Sequence, residues 1–247
     1  MNPPSVFSIL RNALLAGLLA GLITAAFHFA FTETVIEQAI ALEVAPAAAH
    51  DGASEGAPPI VPREVQRLGL FLGYGIYGLT WGLLFGVVFA ALRMTRRSGA
   101  GNGPSGWWLA LLAGWSVGVL PFLKYPANPP GVGDPDTISY RLGLYAALLA
   151  LSVAGTAAAA YAGSRLARGK SGRALSGALV LLWGAALVLV MPANPDLISA
   201  PDSLLQPFRA LSLAGLAVFW VSFAAAFARL ITPRKPMTSL VTAGFSQ

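Results

Sequence analysis

The chain has 247 residues, of which 56% are apolar and 11% charged, with a mean hydropathy of +0.68. Soluble domains carry about 25% charged residues, so this balance reads as an integral membrane protein. The lack of cysteine excludes disulfides and thiolate metal or haem-thiolate chemistry, and two histidines, His28 and His50, are too few for paired axial imidazoles at several haems.

A membrane helix needs roughly 20 apolar residues, and six runs meet or approach that length. The first, Asn12 to Phe31, is longer than the apolar core of a secretory signal and heads a chain with five more spans, so it is expected to be retained as an anchor. Its far end opens into FHFAFTETVIEQAIALE, where His28, Glu33 and Glu37 are candidate metal ligands and Glu43 follows. On a continuous helix His28 points about 140° from Glu33 and about 180° from Glu37, so convergence on one ion requires a break near Thr32. The competing readings are a hydrogen-bonded helix-packing histidine and solvated surface glutamates. Residues 44–62 are small and rich in Pro and Gly, and read as a flexible outer loop.

The second run, Leu68 to Leu92, carries Gly69, Gly73, Gly78, Gly82 and Gly86 at four- and five-residue intervals, and Gly17 and Gly21 (span one) and Gly114 and Gly118 (span three) repeat the spacing. Such small-residue faces predict close helix packing. Spans three to six are Trp107 to Leu123, Leu142 to Gly163, Ala174 to Met191 and Ala210 to Leu230. Continuous apolarity without period-two alternation favours helices over barrel strands. The expected architecture is all-α: a single integral domain, 1–247, of about six transmembrane helices in three hairpins.

The links after spans three and five repeat one another. PFLKYPANPPGVGDPDTISYR at 121–141 and VMPANPDLISAPDSLLQPFR at 190–209 both run from an apolar stretch through Pro-Ala-Asn-Pro and aspartates to an arginine that opens the next apolar stretch. Residues 107–163 and 174–230 therefore read as related hairpins of the same orientation, a parallel duplication. Pro126, Asn128, Pro129, Pro192, Asn194 and Pro195 shape the turns, because proline ends a helix and Asn-Pro favours a turn. Asp136 is the expected N-cap of span four, and Ser203 with Gln206 fits a capping box before span six. Asp134, Asp136, Asp196 and Asp202 are candidate metal-attracting carboxylates, with helix capping as the alternative.

Charge placement orients the chain. One side holds eleven of the sixteen cations and no acid, whereas all ten carboxylates fall on the other, so both termini are expected in the cytoplasm. The pI near 10.1 follows from short basic loops between spans and does not call for nucleic acid. No catalytic motif is complete: GSRLARGKS, 163–171, has Ser164 where the phosphate-binding pattern needs its first glycine. An enzyme is not expected, and no permanently bound cofactor.

The segments AGLLAGLITAAFHFAFTETVIEQAIALE (16–43), FLKYPANPPGVGDPDTISYR (122–141) and MPANPDLISAPDSLLQPFR, with the Gly-rich second span, resemble the CbtA-type probable cobalt transporter subunits over nearly the whole chain. The family usually has a proline after its first helix, absent from FTETVIEQAIALE, and is often described with five spans. The resemblance implies a multi-pass bacterial inner-membrane protein that serves cobalt supply for cobalamin, with Co2+ as cargo. It also implies a small single-span CbtB-type partner whose His-rich end supplies the nitrogen ligands missing here. Two other readings stay open: a non-catalytic assembly or scaffold subunit, and a membrane enzyme acting on lipid-linked substrates.

Overall fold

The structure, a computed structural model, describes residues 4–50, 62–97, 105–129, 133–196, 198 and 200–232. Among these there is no strand, and six helices are long and apolar enough to cross a membrane. The protein is a polytopic membrane helix bundle. The spans are α1 (Val6–Phe31), α3 (Arg63–Arg97), a third built from α4 (Gly106–Gly114), a π-helical turn (Trp115–Val119) and α5 (Leu120–Lys124), then α6 (Ile138–Leu166), α7 (Gly169–Val190) and α8 (Asp202–Ile231). Most run past their apolar stretch at one end or both, because in lipid backbone polar groups must be paired internally and the helix closes where water can take over. The additional helix α2 (Glu33–His50) follows α1 after the single residue Thr32 and enters the proline- and glycine-rich link, whose residues 51–61 lie outside the described set.

Glycine decides which helices touch most closely. A methyl group at Gly17 would overlap the carbonyl oxygen of Gly78, one at Gly78 that of Gly17, and one at Gly21 that of Tyr74. Thus α1 and α3 meet backbone to backbone, the geometry in which small residues gain dispersion contacts that lipid does not supply. Gly82 and Gly86 continue this seam, whereas Gly69 and Gly73 face open space. Gly114 and Gly118 serve differently: they make room for the indole of Trp220 from α8.

The core lies where α8 packs on α1, α3 and α4. Phe219, Phe223 and Phe227, four residues apart, form one face of α8 and meet Phe85 and Phe89 of α3; Phe85 lies edge-to-face on Phe223 and Phe227 at 4.9 Å between centroids. Each such pair contributes about 1 kcal/mol beyond its area. A second group forms around α6 and α7, where Gly155 makes room for Trp183 and Gly184 for Trp115. The π-helical turn frees a carbonyl in mid-span, and the Ser152 hydroxyl of α6 donates to it, reaching the oxygen of Ser116 at 2.6 Å. That bond replaces the one the wider turn gives up. Helix α2 lies over the start of α8, with Val35 and Ala39 buried against Leu204.

Candidate functional site

The two Pro-Ala-Asn-Pro turns lie against each other at one end of the bundle. Helix α5 stops at Lys124 and α7 at Val190; Tyr125 and Met191 leave the helical region ahead of Pro126 and Pro192, as a residue before proline must. The first turn is pinned to the second: Lys124 Nζ donates to the oxygen of Val188 at 2.9 Å, and the Tyr125 hydroxyl to that of Pro192 at 2.7 Å.

The arginines opening α6 and α8 then cross over. Arg141, which belongs to the first repeat, reaches the second: its Nε lies 3.1 Å from Oδ2 of Asp196. Arg209, from the second repeat, reaches the first: Nη2 donates to Asn128 Oδ1 at 2.9 Å and Nε to the oxygen of Ala127 at 3.4 Å. The side chain of Asp196 is only 1% exposed. It also accepts from the Thr137 hydroxyl at 2.5 Å and from the Asp134 N–H at 3.1 Å. The Thr137 bond, with the Asp134 N–H and the Arg141 charge, holds this carboxyl below the ordinary carboxylate range, against the opposing effect of desolvation. Gly133, at φ +124°, allows the chain to pass Arg141 and Asp196 in a conformation that side-chain-bearing residues rarely adopt.

The crossing encloses a cavity of about 610 Å³. Asn128, Asn194, Arg141, Arg209, Tyr125 and Tyr145 are among its walls. The two asparagines have different tasks. Asn194 Oδ1 accepts from the N–H of Asp196 at 3.2 Å and shapes its own turn, whereas Asn128 Oδ1 is taken by Arg209. Pro129 is buried, while Pro195 and Pro192 are exposed.

Capping differs from expectation. Asp134, not Asp136, caps the entry to α6, its Oδ1 accepting from the Asp136 N–H at 2.9 Å ahead of a short 3-10 turn, Pro135–Thr137. The reason is Pro135, which takes the first helical position and places the residue before it at the cap. Helix α8 begins at Asp202, with Pro201 at the cap position and no side-chain bond there, so Ser203 and Gln206 lie inside the helix and form no capping box. Asp134, Asp136 and Asp202 are exposed.

At the same end, His28 is buried in the bundle. Its Nδ1 shares a 2.7 Å hydrogen bond with the Thr32 hydroxyl, its ring stacks on Tyr74 at 5.2 Å, and its Nε2 lies so close to Gly215 that a methyl group there would overlap it. Although α1 ends at Phe31, Thr32 keeps a helical conformation and bonds the oxygen of His28 at 2.9 Å, and α2 follows directly. Glu33 and Glu37 point to the start of α3: Glu33 lies 2.6 Å from Arg63 and 3.5 Å from Arg67, and Glu37 pairs with Arg67. Among the described residues no three His, Cys, Asp or Glu side chains gather as a metal-holding group.

Sequence reading missed the four arginines that bind these acids and turns. The signal for two of them was present, since Arg141 and Arg209 each open the apolar run after a Pro-Ala-Asn-Pro turn.

Six apolar spans with a duplicated polar junction at one end define a polytopic membrane protein. The family described as "Probable cobalt transporter subunit (CbtA)" matches residues 6–232, and the chain belongs to that family. No curated protein and no solved structure matches it.

Proposed function

We propose that this chain is the membrane subunit of a cobalt uptake system serving cobalamin synthesis, in a bacterial inner membrane, with both termini cytoplasmic and the turn junction outside. The family match over residues 6–232 carries this reading. The carboxylates support a division of labour. Glu33, Glu37 and Asp196 are engaged by arginines, while Asp136 and Asp202 remain exposed at the junction end, where they attract divalent cations without completing a coordination shell. Discrimination of Co2+ from Mg2+ calls for nitrogen ligands, which a small single-span His-rich CbtB-type partner supplies.

Cellular metal accumulation separates this from a purely scaffolding role. Cells expressing the chain with the partner should accumulate cobalt above cells expressing either alone, and excess Mg2+ should not abolish the gain. Equal accumulation with and without this chain would sink the proposal. Orientation is tested on the cysteine-free chain by single cysteines at Ala48, Gly131 and Gly99: an impermeant thiol reagent should label the first two in intact cells and spare the third.

A further inference from the structure

We infer that the cavity between the two repeats is a binding site for an amphiphilic organic anion that presents one carboxylate or phosphate group to Arg209. This inference stands apart from the cobalt reading. The charges are the first reason. Two guanidinium groups and two amides face the cavity, and among the described residues no carboxylate lines it. Arg141 is neutralised at its edge by the covered Asp196. Among the described residues Arg209 has no such partner: its bonds run to the amide oxygen of Asn128 and the backbone oxygen of Ala127, both neutral, and the side chain is half-buried. A partly desolvated guanidinium held only by neutral acceptors keeps its charge and further N–H donors available, a setting that favours an oxyanion and repels a bare metal cation.

Shape is the second reason. At about 610 Å³ the cavity falls in the range of small-molecule sites, roughly 300–1,000 Å³. Its remaining walls are apolar and aromatic, and three of them, Ile138, Leu142 and Tyr145 on α6, are exposed. The cavity is open and apolar along α6 and charged at Arg209, which suits a ligand with a charged head and an apolar body. A phospholipid headgroup from the bilayer and a dissolved organic acid share this chemistry.

The test uses the full chain in nanodiscs and in a neutral detergent. In the lipid arm, bound phosphatidylglycerol and phosphatidylcholine are compared by native mass spectrometry; in the solute arm, benzoate and inorganic phosphate are titrated against chloride at equal ionic strength, with the unfolding temperature as readout. Preference for phosphatidylglycerol alone assigns the site to lipid, and stabilisation by benzoate or phosphate assigns it to a solute; either supports the oxyanion site. Arg209→Gln should weaken the preferred anion about tenfold, the loss of one charge-assisted contact. Because that variant also frees Asn128, Asn128→Asp is the decisive partner: a carboxylate placed on Arg209 from within the protein should remove anion binding while leaving the unligated unfolding temperature equal or higher. Anion binding by Asn128→Asp equal to that of the native chain, or no preference for any anion over phosphatidylcholine and chloride, would overturn the inference.

Discussion

The two Pro-Ala-Asn-Pro turns are spelled alike and work differently. In the second, Asn194 bonds the N–H of Asp196 two residues on, so its amide serves its own turn. In the first, Asn128 gives its oxygen to Arg209, and the turn is held from the other repeat. Arginine use shows the same crossing, since Arg141 goes to the acid of the second turn and Arg209 to the amide of the first. A duplicated phrase therefore does not imply duplicated chemistry. Once two copies face each other, one can keep the local role while the other takes an interaction between copies, and the space they enclose belongs to neither.

The comparison is broken most severely at Asp196. Alanine there takes the acceptor from the Asp134 N–H and leaves Arg141 and the Thr137 hydroxyl with only the oxygen of Asp134, and thermal unfolding in detergent should show the largest drop of any single change at the junction. Asn128→Ala removes a bond to a charged donor and should cost about 2 kcal/mol, while Asn194→Ala removes a neutral one and should cost about 1 kcal/mol. If the asparagine order is reversed, the assignment of one turn to local and the other to crossed support is wrong. Acid sharpens the same point. The folded-state value of Asp196 lies below its unfolded one, so its contribution is full above about pH 4 and is lost as pH falls through the depressed value. The native chain should thus lose unfolding temperature in that acid window more steeply than Asp196→Asn. The smallest effect belongs to the exposed acids: converting Asp136 and Asp202 together to Asn should raise the cobalt concentration for half-maximal uptake about twofold at low salt and less at physiological salt, where the Debye length is about 8 Å.

Much of this fold was legible in the chain. Apolar runs without alternation located all six spans, because lipid permits few other structures, and the glycine spacing marked the α1–α3 seam. The spacing could not say which glycines touch: Gly69 and Gly73 form one four-residue step and Gly78, Gly82 and Gly86 another, the five-residue step between them turns the two sets about 140° apart, and only the second set meets α1. Rotation of a helix about its axis is set by its partner and not by its own sequence. The cap at Asp134 was readable from Pro135 and was passed over in favour of Asp136. Arg141–Asp196 was not readable, since it joins residues from different repeats and depends on how two loops meet. The pairs of Glu33 and Glu37 with Arg63 and Arg67 were equally hidden, as they form across a proline- and glycine-rich link whose composition does not say where its ends meet.

The spans are far from equal in length. Helix α3 has 35 residues and the third span 19, about 52 Å against about 28 Å at 1.5 Å per residue. The hydrocarbon layer is about 30 Å thick. One helix must tilt or project into water, whereas the other, within about 2 Å of the layer, spans it with no length to spare. Since the first Pro-Ala-Asn-Pro turn follows directly on Lys124, that close fit brings the turn, and the mouth of the cavity beside it, to the depth of the lipid headgroups. Membrane thickness thereby becomes a variable of the site: a thicker bilayer pulls on the short third span and leaves α3 largely unloaded, shifting the two sides of the junction by different amounts.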